Sequence, residues 1–137
     1  MGNHMLAIAD FNEAIDLDRE NPEGYFRRGI SKYKHNRFKE AIEDFETAEQ
    51  KERGVEEQEP DAELLAGIHD GLGQCYHALK NFDRAVSFFD RAIEAMPENT
   101  DFLMHRAQCY FDNGIKEQSI ADLQRGLKRD RQGILDP

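Results

Sequence analysis

The chain repeats itself, and that constrains it more than any single motif. Ala7, Phe11 and Ala14, in AIADFNEA, recur 34 residues later as Ala41, Phe45 and Ala48 in AIEDFETA. They recur 44 residues further on as Ala85, Phe89 and Ala92 in AVSFFDRA, and after another 34 as Ser119, Leu123 and Gly126 in SIADLQRG. A second set runs alongside: Tyr25, Gly29 and Tyr33, then His69, Gly73 and Tyr76, then Leu103, Ala107 and Tyr110. Tyr33 falls one residue later in its copy than Tyr76 and Tyr110 do. A period of this length means stacked units, each burying its apolar face on the next.

Each unit reads as two helices. The small–aromatic–small triplet has i, i+4, i+7 spacing, which puts three side chains on one helix face. The other helix carries a small residue midway, although glycine there costs about 1 kcal/mol relative to alanine. Two antiparallel helices crossing closely need small residues at the crossing. Gly73 is therefore expected to face Ala85, and Gly29 to face Ala41. Pro97 ends its helix because proline cannot continue the hydrogen-bond ladder.

A 34-residue helix–turn–helix with this glycine, alanine, aromatic and proline pattern resembles the tetratricopeptide repeat family. The resemblance implies an all-α, right-handed solenoid of antiparallel helix pairs. It covers residues 6–137 as one domain: three pairs plus one leading unpaired helix. The sequence departs from the family in two ways. Pro97 alone fills the terminal proline position, with Arg19, Arg53 and Arg131 at its equivalents. No tryptophan is present, and Tyr25, His69 and Leu103 stand where the family often has one. Helices are expected at 5–18, 22–35 with 38–52, 61–79 with 82–95, and 100–112 with 116–130. The repeats then span 22–55, 66–99 and 100–133. Phe38 and Phe82 open two second helices, after the turns HNRF and LKNF, and the third turn is DNGI.

Ten extra residues separate the first and second full repeats, an acidic insertion at about 56–65. Pro60, Asp61 and Glu63 suit a helix start, so the first helix of the middle repeat should be lengthened by about two turns. An acidic link at 54–59 should precede it. MGNHM reads as a start residue and cloning remnant. The leading helix holds Leu6, Ile8, Phe11, Ile15 and Leu17, too apolar to stand free, and RQGILDP follows where a capping helix is expected. These ends read as a fragment of a longer repeat protein whose open ends could pair as a homodimer.

Net charge is −10, unevenly spread. Residues 43–63 hold ten acids and two bases, whereas 25–39 hold six bases and no acids. An acidic balance argues against nucleic acid, which demands a basic face. The basic stretch is a solvated face before it is a patch for an acidic partner. No apolar run approaches the roughly 20 residues of a membrane span, and no secretory signal opens the chain. The expected setting is intracellular, in the cytoplasm. Cys75 and Cys109 occupy one column of adjacent repeats and are expected as buried free thiols, not a disulfide.

Catalysis finds no support. Gly71 and Gly73 form G-x-G without a preceding strand or a third glycine. His69 and His77 share a helix face and His105 could approach His77, yet no third ligand has metal spacing. The carboxylates of 43–63 lie on a helix surface and a loop, without a cleft. The chain is read as no enzyme, with no cofactor or metal.

In this family the first helices of successive pairs line a concave groove where partners usually lie. The resemblance therefore implies groove positions at Phe26, Arg27, Ile30, Tyr33 and Lys34 from the first pair. It implies Gly67, Asp70, Gly71, Gln74, His77 and Ala78 from the second, and Asp101, Met104, His105, Gln108, Phe111 and Asp112 from the third. Phe26, Met104 and Phe111 are large apolar groups the core does not need, and Gln74 and Gln108 could hold a peptide backbone. Arg27 and Lys34 would give a positive N-terminal rim opposite Asp70, Asp101 and Asp112, steering a peptide in one direction. The implied role is a protein–protein interaction scaffold. Self-association within a longer repeat protein, or substrate recruitment for an absent catalytic domain, are the alternatives. The columns of the clamp that holds heat-shock chaperone C-termini in this family carry Phe26, Ile30, Gly71, Asp101 and His105, not its lysines, asparagines and arginine. That partner is not expected.

Overall fold

A computed structural model describes the backbone of residues 2–54 and 58–135 and the side chains of 7–54 and 58–128. Among these residues it shows seven helices: α1 Gly2–Leu17, α2 Pro22–Lys34, α3 Phe38–Arg53, α4 Ala62–Ala78, α5 Phe82–Ala95, α6 Thr100–Asp112 and α7 Lys116–Leu135. Each helix packs on the next in the chain, and α2, α4 and α6 also touch in sequence. The result is an all-α solenoid with α2, α4 and α6 on one face.

Local chemistry sets the helix ends. Asn21, Asp61 and Asn99 cap α2, α4 and α6 by accepting hydrogen bonds from first-turn backbone N–H groups. Each of the three tight turns places one residue in the left-handed region: Asn36 at φ 63°, Lys80 at 64° and Gly114 at 79°. Asparagine and glycine are at home there; lysine is strained. Helix α5 stops at Ala95, just before Pro97.

The triplets form the core. Phe45 and Phe89 are fully buried, with Ala41, Ala48, Ala85 and Ala92 beside them. The facing glycines behave differently from expectation. A Cβ on Gly29 would meet the Phe45 ring at 2.9 Å, and one on Gly73 would meet the Phe89 ring at 2.6 Å. The atoms nearest to each glycine are thus those of the phenylalanine ring one turn beyond the expected alanine. Burying each ring stabilises by roughly 1.5–3 kcal/mol, more than the glycine costs. In the last pair Ser119 replaces the alanine, and its hydroxyl donates to the Ala107 carbonyl at 2.8 Å.

Two charged clusters alternate with an apolar one. Arg28 donates to both Asp44 oxygens at 2.8 and 2.7 Å and to Asn12 at 2.8 Å, and Lys32 joins Asp44 at 3.0 Å. Arg106 repeats this with Asp122 at 2.8 and 2.7 Å and Asp90 at 2.6 Å. Thirty-four residues before Arg106 and Asp122 stand Leu72 and Phe88, packed in the apolar core instead. The basic stretch 25–39 is therefore not one solvated face: Arg28 and Lys32 point into the stack.

Three boundaries are corrected. Helix α1 begins at Gly2, so residues set aside as a remnant carry helical backbone; α7 runs on to Leu135. Helix α4 has 17 residues against 13 in α2 and α6, a gain of about one turn, not two. The other extra residues lie in the connection, and 55–57 of the expected acidic link fall outside the described residues.

Candidate functional site

The face built by α2, α4 and α6 carries two adjoining cavities. One, of about 250 Å³, is lined by Phe26, Ile30, Tyr33 and Lys34 from α2 and by Gly67, Asp70, Gly71 and Gln74 from α4, with Phe45 as its floor. It exists because α4 offers two glycines one turn apart. A Cβ on Gly71 would strike the Phe45 ring at 2.7 Å, and one on Gly67 would crowd Phe26 at 3.1 Å. The other cavity, of about 410 Å³, lies toward the starts of these helices. Phe26, Leu64, Met96 and Phe102 form its apolar surface, and Glu23, Asp61 and Glu63 stand around it. Phe26 and Gly67 line both cavities.

Helices α4 and α6 are joined across the face by two mirrored pairs. Nδ1 of His105 lies 2.9 and 3.0 Å from the Asp70 oxygens, and Nε2 of His77 lies 2.6 Å from Asp112. Gln74 donates to Asp70 at 2.8 Å and Gln108 to Asp112 at 2.9 Å. The Asp70 carboxylate accepting its hydrogen bond raises the pKa of His105, outweighing the opposing effect of burial. His77 in turn lowers the pKa of Asp112. His69 points elsewhere, buried against Phe88 with Nε2 3.5 Å from Glu49, and burial lowers its pKa. The three histidines thus meet carboxylates on three different helices, and among the described residues no group of three or more potential ligands is poised for a metal.

Of the positions expected in the groove, Phe26, Ile30, Tyr33, Lys34, Asp70 and Gln74 come together around the smaller cavity. His77, His105 and Gln108 lie in the α4–α6 polar pairs. Met104 and Phe111, 47% and 59% exposed, stand apart from both cavities. Phe111 instead borders a cleft with Leu123 of α7, and the Met104 sulfur is the nearest atom to a Cβ on Gly126. Arg27 is held by Glu23 at 2.8 Å. Of the charged groups in the expected gradient, Arg27 is paired with Glu23, and Asp70 and Asp112 each meet a histidine and accept an N–H from a glutamine. Sequence reasoning missed Glu23, Leu64, Met96 and Phe102. The signal for Leu64 was the insertion itself, since Asp61, Glu63 and Leu64 ride on the extra turn of α4.

Both cysteines are buried free thiols. Burial pushes Cys75 up to about 12 and Cys109 up to about 11, so neither is a nucleophile near neutral pH. No helix among the described residues is long and apolar enough to cross a membrane.

Comparison with known proteins places this geometry. Family models described as tetratricopeptide repeat match residues 76–135 in one case and 1–55 and 26–99 in another. DnaJ homolog subfamily C member 3 of Gallus gallus is 23% identical over 134 residues, 93% of this chain and 26% of that protein. BBSome complex member BBS4 of Bos taurus is 25% identical over 134 residues, 95% of this chain and 23% of that protein. The chain thus spans about a quarter of the length of these two relatives. Hsp70-Hsp90 organizing protein 3 of Arabidopsis thaliana is 32% identical over 62 residues, 45% of this chain and 11% of that protein. Among solved structures, a chain of the APC/C hetero-tetramer Cut9-Hcn1 superposes with TM-score 0.84 at 20% identity, covering 93% of this chain and 24% of that one. MamA from Desulfovibrio magneticus RS-1 superposes with TM-score 0.81 at 15% identity, covering 96% of this chain and 68% of that one. At these identities the likeness is one of fold.

Proposed function

Because this chain belongs to the tetratricopeptide repeat family, we propose that it is a non-catalytic docking module that holds a peptide segment of a protein partner on its α2–α4–α6 face. One observation carries this reading. The face has a preformed apolar cavity over Phe45, bounded by Phe26, Ile30 and Tyr33 and opened by Gly67 and Gly71. Gly71 makes room for the buried Phe45 ring, but a Cβ on Gly67 would meet only Phe26, so core packing does not account for the whole opening. Concave apolar surface with a few polar groups at its edge is the usual form of a binding site. The Lys34 ammonium and the second N–H and carbonyl oxygen of the Gln74 amide are the polar groups available there.

The partner is not an acidic chaperone tail on this reading. The clamp columns carry Phe26, Ile30, Gly71, Asp101 and His105, and the one nearby arginine, Arg27, is tied to Glu23.

The test is a pull-down from cell extract with the intact protein and a Tyr33→Ala, Phe111→Ala variant, after both are shown to be equally helical. Tyr33 lines the cavity and Phe111 does not, so the two single variants follow. Loss of a defined partner with Tyr33→Ala supports the cavity. An unchanged captured set sinks the reading.

A further inference from the structure

We infer that the larger cavity is a subsite for a lysine or arginine side chain of the bound peptide, set beside a large apolar residue that enters the Phe45 cavity. This rests on the groove reading above and names the class of partner: a segment in which a basic and a large apolar residue lie close together.

The first ground is shape and composition. The cavity of about 410 Å³ has Phe26, Leu64 and Phe102 along its surface and Glu23, Asp61 and Glu63 around it. Lysine and arginine have this amphipathic form, an apolar stem ending in a cation. Phe26 and Gly67 line both cavities, so neighbouring side chains of one peptide can occupy them together.

The second ground is the distribution of charge. The starts of α2, α4 and α6 lie with the ends of α1, α3 and α5 along one edge of the solenoid. Residues 18–23, 52–54, 58–63 and 97–101 on that edge hold nine acids and two bases. The opposite edge, at 34–40, 78–84 and 112–117, holds four acids and six bases. The potential therefore attracts cations at the edge where the larger cavity opens.

Helix starts attract acids for their own stability, and that need is already met. Asn21, Asp61 and Asn99 cap the three helices. Glu23 is paired with Arg27 and Asp61 accepts two backbone N–H groups of α4, whereas the Glu63 carboxylate has no hydrogen-bond or ion-pair partner among the described residues and is the acid free to meet a cation. Asp61, Glu63 and Leu64 belong to the turn that α4 has gained over α2 and α6, so this wall is peculiar to the middle repeat.

The test uses the full chain and a random decapeptide display library. Selection is run on the intact protein, on Glu63→Lys, and on Glu117→Lys, which makes the same charge change at the opposite edge. The expected result is enrichment of lysine or arginine close to a large apolar residue, kept by Glu117→Lys and lost by Glu63→Lys. Exchanging the enriched cation for norleucine should weaken binding about fivefold at low salt and less at high salt. Apolar enrichment without a basic preference overturns the subsite and leaves the groove reading standing. A basic preference that survives Glu63→Lys overturns it too, since overall charge then explains it. No enrichment on the intact protein overturns the groove reading itself.

Discussion

Replacing Gly73 with alanine tests the packing of the repeat where it is tightest. In a helix with open surroundings, glycine to alanine stabilises by up to about 1 kcal/mol. At Gly73 the new Cβ would lie 2.6, 2.7 and 3.0 Å from three atoms of the Phe89 ring. That ring is fully buried and packed with Ala85 and Cys109, so it has nowhere to turn. Overpacking of this kind costs about 1–3 kcal/mol. The net change is a loss of about 1 kcal/mol. Gly126 provides the opposite case, because the nearest atom to its Cβ is the Met104 sulfur at 3.8 Å, an ordinary contact. Gly126→Ala should gain roughly 0.5–1 kcal/mol. Urea unfolding followed by circular dichroism measures both, and with a slope of about 1–3 kcal/mol per molar urea the two variants should differ by roughly 1 M in midpoint. A Gly73→Ala midpoint at or above that of the unaltered protein would refute the seating of Phe89 on Gly73.

Four further outcomes follow from the packing and polar contacts described above. Lys80 sits at φ 64° where its counterparts are Asn36 and Gly114, so Lys80→Gly should stabilise by about 0.4–1 kcal/mol, and a lower urea midpoint would contradict that. Asp122→Ala removes two of the three hydrogen bonds of the largely buried Arg106 guanidinium, leaving the one to Asp90, and should cost about 1–3 kcal/mol. The double change Arg106→Leu, Asp122→Phe copies Leu72 and Phe88 and should recover most of that loss; a double variant no more stable than the single one argues against the equivalence. In a ring-proton titration followed by NMR, His105 should titrate above the usual histidine range and His69 below it, and Asp70→Asn should bring His105 back. The His105 contribution to stability is complete below about pH 6.5 and is lost as pH rises through its raised value. That of His69 is complete above about pH 6.5 and is lost as pH falls toward its lowered value. Finally, Cys75 and Cys109, raised to about 12 and about 11, should react slowly with a thiol reagent at pH 8 in the folded protein; rapid labelling of both would show that the helix pairs open far more readily than this packing allows.

The fold was legible because its determinants recur. A triplet returning every 34 residues states a helix face, its partner and a stacking direction at once, and Pro97, Asp61 and the turn residues fix several ends. The contacts around the groove were less legible because each is made once. Asp70 and His105 meet across 35 positions, and so do His77 and Asp112, but nothing in the spacing says whether a polar side chain on a concave face will reach for the neighbouring helix or for a ligand. The glycines show the same limit from the other side. Gly73 could be placed at a crossing, yet whether an alanine or a phenylalanine ring lay opposite depended on a shift of about one turn along the helix. The length of α4 turned on how ten inserted residues divide between helix and connection, and Asp61 caps the helix one turn before the repeat's normal start.

Side chains, not helix dipoles, set the polarity of the groove. In a stack of antiparallel pairs every first helix begins at the edge where a second helix ends, so the dipoles oppose one another there. Acids lie at that edge and bases at the opposite one, and the groove between them acquires a polarity across its width. Along the solenoid axis, by contrast, Arg27 with Glu23, His105 with Asp70 and His77 with Asp112 are paired locally. A peptide lying across α2, α4 and α6 would therefore be sorted by which of its ends is basic relative to the helix direction. Its register from repeat to repeat would be set by the apolar cavity over Phe45. The extra turn of α4 joins the two, because it raises Glu63 and Leu64 beside the one stretch of the groove where glycines have opened the floor.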